Sequence, residues 1–276
     1  MRRNFYGVLR VGEGFADSPE SHGCGLRHGR VTHGFQHHSD ARRRVPTLYY
    51  GVETGVGRAL RAQRARIADR GLSIGVIRLG IGTLAAYGES GDRMRFYEIN
   101  PAVIEVAGDT RLFTFLSDSP ARVETVEGDA RLSLQRELVE SGPNRFDLLV
   151  VDAFSSDSVP VHLVTREALS LYLEHLAPDG VLAFHITNRF LDLAPVVTRL
   201  AEDAGLERAL VASEPAKEST VLGAKSLWML MSRDRAVLDR PEIAEAASRS
   251  PPAASPDLWT DDFSNVLATL RLRPRD

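Results

Sequence analysis

Four acidic or glycine positions recur at regular intervals where short apolar runs end. Ile74–Leu79 ends in Gly80-Ile81-Gly82, and a second run, Arg93–Tyr97, ends in Glu98. A third, Arg122–Val126, leads into Glu127-Gly128-Asp129-Ala130, and a fourth, Phe146–Val151, ends in Asp152. A Gly-x-Gly turn lets a ligand approach bare backbone at a helix N-terminus. An acid at the tip of the next strand can grip both hydroxyls of a ribose. Glu98 stands 16 residues after Gly82, and Gly128-Asp129 follows about 30 residues later, which suits adenosine: Glu98 for the ribose, Asp129 for the adenine amino group. A dinucleotide site would carry a third glycine where Ala85 stands, and Gly-Asp on the third strand is no part of that pattern. An S-adenosyl sulfonium donor is therefore preferred to NAD. Beyond Asp152, the small-residue loop 153–163 carries Asp157. Two carboxylates five residues apart could bind an amine and take its proton, in a loop suited to act as a lid.

The elements that position these residues alternate from Leu72 onward. Further strands are expected at Gly180–Thr187, Leu206–Ser213 and Ser226–Ser232, and helices at 54–70, Thr83–Tyr87, Ala102–Phe115, Ala130–Glu140, Thr165–Leu176 and Leu193–Ala204. The last two strands follow each other without a helix. The expected fold is α/β, a seven-stranded, mostly parallel Rossmann-like sheet of the class I methyltransferase type with one antiparallel strand. Ligands on such sheets bind beyond the C-terminal ends of the strands. Residues 1–55 read instead as a small antiparallel β-domain, with strands at Phe5–Val11, Leu26–Gly29 and Val31–Gln36. The α/β domain spans 56–234. Residues 235–276 read as a tether, helical at Pro241–Ala247, followed by a segment that packs back.

Composition narrows the classes. The 276 residues are 43% hydrophobic and 26% charged, with formal net charge −3, as in a globular protein without a field that attracts nucleic acid. Arg58, Arg61, Arg64 and Arg66 read as a solvated helix face. The one cysteine, Cys24, excludes an intrachain disulfide. Five of the eight histidines lie at 22, 28, 33, 37 and 38; their spacing fits no standard zinc pattern, so no metal is expected. No apolar run reaches the roughly 18 residues of a membrane span, and a cytoplasmic protein is expected.

At this point the chain resembles the spermidine synthase-like aminopropyltransferases, in particular a domain often fused behind a membrane segment in bacteria. The motifs are Leu26-x-His28-Gly29-x-x-x-His33-Gly34-x-Gln36, Tyr49-Tyr50, Leu79-Gly80-x-Gly82-Thr83, Tyr97-Glu98-Ile99-x-Pro101, Gly128-Asp129-Ala130-Arg131, residues 152–165, and Trp259-x-Asp261-Asp262-x-Ser264-Asn265. They cover most of residues 5–234 and return at 258–266. The resemblance implies transfer of an aminopropyl group from decarboxylated S-adenosylmethionine to a polyamine such as putrescine, and a homo-oligomer. It implies that Gln36 touches the donor, Glu98 holds its ribose, Asp129 binds adenine, Tyr50 orients the amine and Asp152 deprotonates it. Two positions depart from the family: Ile81 replaces an acid that sits near the donor's amine, and Arg78 replaces a glycine. An arginine there could meet a carboxylate, which only undecarboxylated S-adenosylmethionine carries. A methyltransferase and a non-catalytic nucleoside-binding domain remain open as alternatives.

Overall fold

The computed structural model describes residues 1–15, 18, 20–29, 31–152, 160–215, 222–248, 253–255 and 257–271. The chain opens with β1 (Arg2–Asn4), β2 (Gly7–Gly14), β3 (Gly23–His28) and β4 (Val31–His37), which form an antiparallel meander in that order. The single strand expected over Phe5–Val11 is interrupted at Phe5-Tyr6. There the Asn4 side chain accepts a hydrogen bond from the Tyr6 N–H at 3.0 Å, and Gly7 takes φ +120°, so the chain turns and β1 folds back on β2.

The remainder runs α1 (Gly55–Arg66), β5 (Ser73–Ile77), β6 (Arg93–Glu98), α2 (Pro101–Gly108), α3 (Phe115–Asp118), β7 (Arg122–Glu127), α4 (Ala130–Ser141), β8 (Phe146–Val151), α5 (Arg166–His175), β9 (Leu176–His185), α6 (Ala194–Asp203), β10 (Glu207–Ser213), β11 (Ser226–Ser232), α7 (Arg235–Leu238) and α8 (Pro241–Ala244), with a 3-10 turn at Thr83–Tyr87. The seven-stranded sheet has the order β7-β6-β5-β8-β9-β11-β10, and β11 alone runs antiparallel to its neighbours. The expected α/β class is thus the observed one. The strand order reverses between β5 and β8, so their C-terminal ends open a crevice at the switch point.

Central strands buried on both faces read as continuous apolar runs, and every residue of β8 is buried. Ile74, Val76, Leu148 and Val150 face a core completed by α1, α2 and the 235–247 segment; Ile77, Leu149 and Val151 face the other, completed by α4, α5 and α6. Leu9 and Leu26 from the N-terminal meander join the first core. No helix among the described residues is long and apolar enough to cross a membrane.

Two helical expectations change. The helix foreseen over Ala102–Phe115 stops at Gly108, where Asp109 accepts a hydrogen bond from the Arg111 N–H and turns the chain before α3 begins. The stretch read as a tether is packed over 235–247: Val237, Leu238 and Ile243 are buried, α8 lies on α1, and Ala247 bridges Val211. The arginines of α1 form an ion-paired rather than a freely solvated face, with Arg58 and Arg61 on Glu53, Arg64 on Asp92 and Arg66 on Asp179.

Asp92 anchors the start of β6. Its carboxylate accepts both Arg64 Nη groups at 2.7 Å and the backbone N–H groups of Leu72 and Glu89 at 2.7 and 2.8 Å. Burial pushes its pKa up, but these four donors outweigh burial and hold it below the usual carboxylate range. Its stabilising contribution is complete above the unfolded value near ~3.9 and is lost as pH falls through the lower folded value. Asp92→Asn is expected to lower unfolding free energy at neutral pH by ~3 kcal/mol, because it removes the charge that pairs with Arg64 and turns an amide donor toward donors that Oδ1 or Oδ2 now accepts. Urea unfolding of both proteins measures the loss.

Candidate functional site

A cavity of about 260 Å³ lies where the N-terminal meander meets the C-terminal ends of β5, β6 and β7. Gly80, Glu98 and Asp129 all line it. One wall comes from Tyr6, Leu9 and Leu26 of the meander, and the rim carries Pro160 and His162.

The turn after β5 is left-handed at three residues: Arg78 (φ +87°), Gly80 (φ +57°) and Gly82 (φ +79°). Gly82 ends a tight turn in which its N–H donates to the Leu79 carbonyl at 2.9 Å, and a Cβ there would strike the Leu116 side chain. It shapes the turn from behind the lining. Glu98 is buried at 6% exposure, so its carboxylate must find donors. Oε2 accepts from the Leu79 N–H at 3.1 Å and Oε1 from the Asn100 N–H at 3.0 Å. Each oxygen keeps acceptor capacity toward the cavity, which suits a vicinal diol. Asn100 also caps α2, and its side-chain oxygen receives the Asn4 amide at 2.6 Å, which ties the meander to the tip of β6.

Asp129 caps α4 through the Leu132 N–H at 3.0 Å, and its second oxygen lies 3.0 Å from His162 Nε2. Beside it, Arg131 grips Asp261 with both Nη groups and donates to the His162 carbonyl at 3.0 Å, while Thr165 donates to Asp261 at 2.8 Å. The C-terminal segment containing buried Trp259 is thereby fastened to the rim. The Arg131 hydrogen bond is the main cause that holds the Asp261 pKa low.

Asp152 is 1% exposed and is not among the residues that line the cavity. The Tyr50 hydroxyl donates to its Oδ2, and His185 Nδ1 lies 2.6 Å from its Oδ1. The His185 ring is stacked between Tyr49 and Trp228, with ring centres 4.5 and 4.6 Å away. Burial first, then the Asp152 charge, pushes the Tyr50 hydroxyl well up, so it stays protonated and donates. His185 is a member of this group that the sequence reading missed. The signal was present: it ends β9, next to the strand ends already counted.

Gln36 sits away from the cavity lining, its amide consumed by the Arg43 carbonyl, the Thr114 hydroxyl and the Thr114 N–H at 2.7, 3.0 and 2.7 Å. It joins β4 to the loop before α3. Asp157 lies outside the described residues. Ile81 is fully buried, packed where a Cβ on Gly34 would collide with it. Arg78 does reach the cavity. A left-handed conformation costs a non-glycine residue about 1–3 kcal/mol. Its Nη2 lies 3.1 Å from His33 Nδ1, and burial, then Arg78 and His28, push the His33 imidazole down to about 2, so His33 is neutral and accepts.

Comparisons with known proteins agree with this architecture. No family model matches the chain. A polyamine aminopropyltransferase of Vibrio vulnificus (strain CMCP6) is 34% identical over 120 residues, 42% of this chain and 36% of that protein. An N-terminal histidine N-methyltransferase of Emericella nidulans is 35% identical over 119 residues, 43% of this chain and 20% of that protein. The chain thus spans about a third and a fifth of these curated relatives. The crystal structure of a probable spermidine synthase from Corynebacterium glutamicum superposes with a TM-score of 0.63 at 16% identity, covering 83% of this chain and 77% of that one, a likeness of fold. The chain has the fold of that probable spermidine synthase and, over somewhat under half its length, resembles the polyamine aminopropyltransferases in sequence.

Proposed function

We propose that the protein is a transferase that binds an S-adenosyl sulfonium donor in this cavity and moves a carbon group from the donor's sulfur to an amine. The observation that carries the reading is the Glu98 carboxylate, which is fixed by two backbone N–H groups at the C-terminal end of β6 beside the Gly80 turn and Asp129. Glu98 takes the ribose hydroxyls, Asp129 the adenine edge, and Gly80 lets the sulfonium side approach the backbone.

The chemistry needs a neutral nucleophile held in line. The amine lone pair attacks the carbon next to sulfur, the C–S bond breaks, and its electrons return to sulfur as a neutral thioether. The proton that the amine must lose goes to Asp152, reached through the Tyr50 hydroxyl, which passes its own proton to Oδ2 as it accepts the new one. His185 holds the other oxygen and fixes the carboxylate's orientation. Aminopropyl transfer to a polyamine such as putrescine, with decarboxylated S-adenosylmethionine as donor, is the form of this reaction supported by the Vibrio vulnificus relative and by the motifs at 26–36, 49–50 and 97–101. Methyl transfer from S-adenosylmethionine is the second reading. The observation in its favour is Arg78 in the cavity.

Calorimetric titration with methylthioadenosine tests the donor site. Glu98→Gln is expected to weaken that affinity by about tenfold or more, since the amide turns a donor toward a backbone N–H and removes the charge that holds the diol. Unchanged affinity would remove Glu98 from the site. Asp152→Asn is expected to lower kcat by about 10²-fold or more while donor affinity stays within about threefold. A matched loss of donor affinity would instead make Asp152 part of the donor pocket.

A further inference from the structure

The cavity has an unusual balance of charge. Its two carboxylates are already answered, Glu98 by two backbone N–H groups and Asp129 by the α4 N-terminus and His162. Its guanidinium is not. Among the described residues no carboxylate lies within ion-pair distance of Arg78, and its side chain meets only the neutral imidazole of His33. An arginine can be satisfied by a carbonyl or a carboxylate, and a planar fork in a half-enclosed site fits a carboxylate with two parallel hydrogen bonds.

The backbone underlines the point. Arg78 follows β5 directly, donates its N–H to the Tyr97 carbonyl at 2.8 Å and holds φ +87°. Glycine adopts that conformation freely, whereas arginine is strained in it. That conformation sets a long cationic residue at the cavity lining beside Gly80, near enough for its charge to act on the Tyr50 hydroxyl. Three positions further on, Ile81 is fully buried against Gly34 and brings no charge to the turn. The charge that this turn brings to the cavity is therefore cationic.

We propose that Arg78 receives the α-carboxylate of an amino-acid-bearing sulfonium nucleoside, so that this pocket selects intact S-adenosylmethionine over its decarboxylated form. The inference rests on the donor-site reading above and decides between its two versions. A donor without a carboxylate would leave the Arg78 guanidinium desolvated and unpaired against its own ammonium. A donor with one pairs the charge.

The test is calorimetric titration of the wild-type protein and of Arg78→Gly with S-adenosylmethionine, decarboxylated S-adenosylmethionine and methylthioadenosine. Glycine suits φ +87°, so the variant is expected to fold, and equal affinity for methylthioadenosine in both proteins confirms an intact nucleoside pocket. The wild type is expected to prefer S-adenosylmethionine to the decarboxylated donor by about tenfold or more, and Arg78→Gly to lose most of that preference. Arg78→Lys, which keeps the charge but not the fork, should retain part of it. Binding of methylthioadenosine without a preference for the carboxylated donor, or a preference that survives in Arg78→Gly, would overturn the role of Arg78 and leave the donor site standing. Failure of the wild type to bind methylthioadenosine would overturn the donor site itself, and this inference with it.

Discussion

A carboxylate almost wholly withdrawn from water at the tip of a strand is the constraint on which the rest of this site depends. Glu98 cannot remain charged there without donors, and its two donors come from different loops: the Leu79 N–H after β5 and the Asn100 N–H after β6. Its own backbone carbonyl accepts from the Gly128 N–H after β7 at 2.9 Å. One residue thus fixes three consecutive strand ends relative to one another. The left-handed turn at residues 78, 80 and 82 follows from that requirement, because the chain must double back sharply to present the Leu79 N–H to the carboxylate.

The same economy extends outward. Asn100 caps α2 while it accepts the Asn4 amide, so the N-terminal hairpin is held against the tip of β6. Asp129 caps α4 while it meets His162 from the stretch before α5. The fork between Arg131 and Asp261 returns the C-terminal segment to the same rim. Groups that terminate helices therefore also enclose the cavity, which is how a sheet with open strand ends acquires walls.

The sheet was legible in the sequence because its central strands are continuous apolar runs with charged or glycine punctuation. The bounds of β8 and β11 coincide with the expected ones, since a buried apolar stretch, Leu148–Val151 in β8 and Trp228–Met231 in β11, makes up most of each. Gly80, Glu98 and Asp129 share a cavity for the same reason: parallel strands deliver their C-terminal residues to one edge. What local pattern could not supply was anything decided by contact at a distance. Phe5–Val11 alternates like one strand, yet Asn4 and Gly7 turn it against β3, where the His28 ring covers Gly7. Residues 235–247 have a tether's composition, and the apolar surface of α1, β10 and β11 makes Val237, Leu238 and Ile243 a packed element. Tyr6, Leu9 and Leu26 carry no chemical signal and still form a wall of the cavity.

The two charged clusters of the site differ in how their charge is met, and that difference bears on which ligands the fold can hold. Asp152 is enclosed by the Tyr50 hydroxyl and by an imidazole stacked between Tyr49 and Trp228, so rigid rings fix both of its oxygens. Among the described residues Arg78 has no such enclosure. Its imidazole neighbour is kept neutral by burial and by the guanidinium itself, and among those residues this single neutral acceptor leaves most of the five donors of the fork to water or to a ligand. A strained backbone conformation that delivers an under-satisfied cation into a cavity is a cost without return in the empty protein, and it is offset once an anionic group enters.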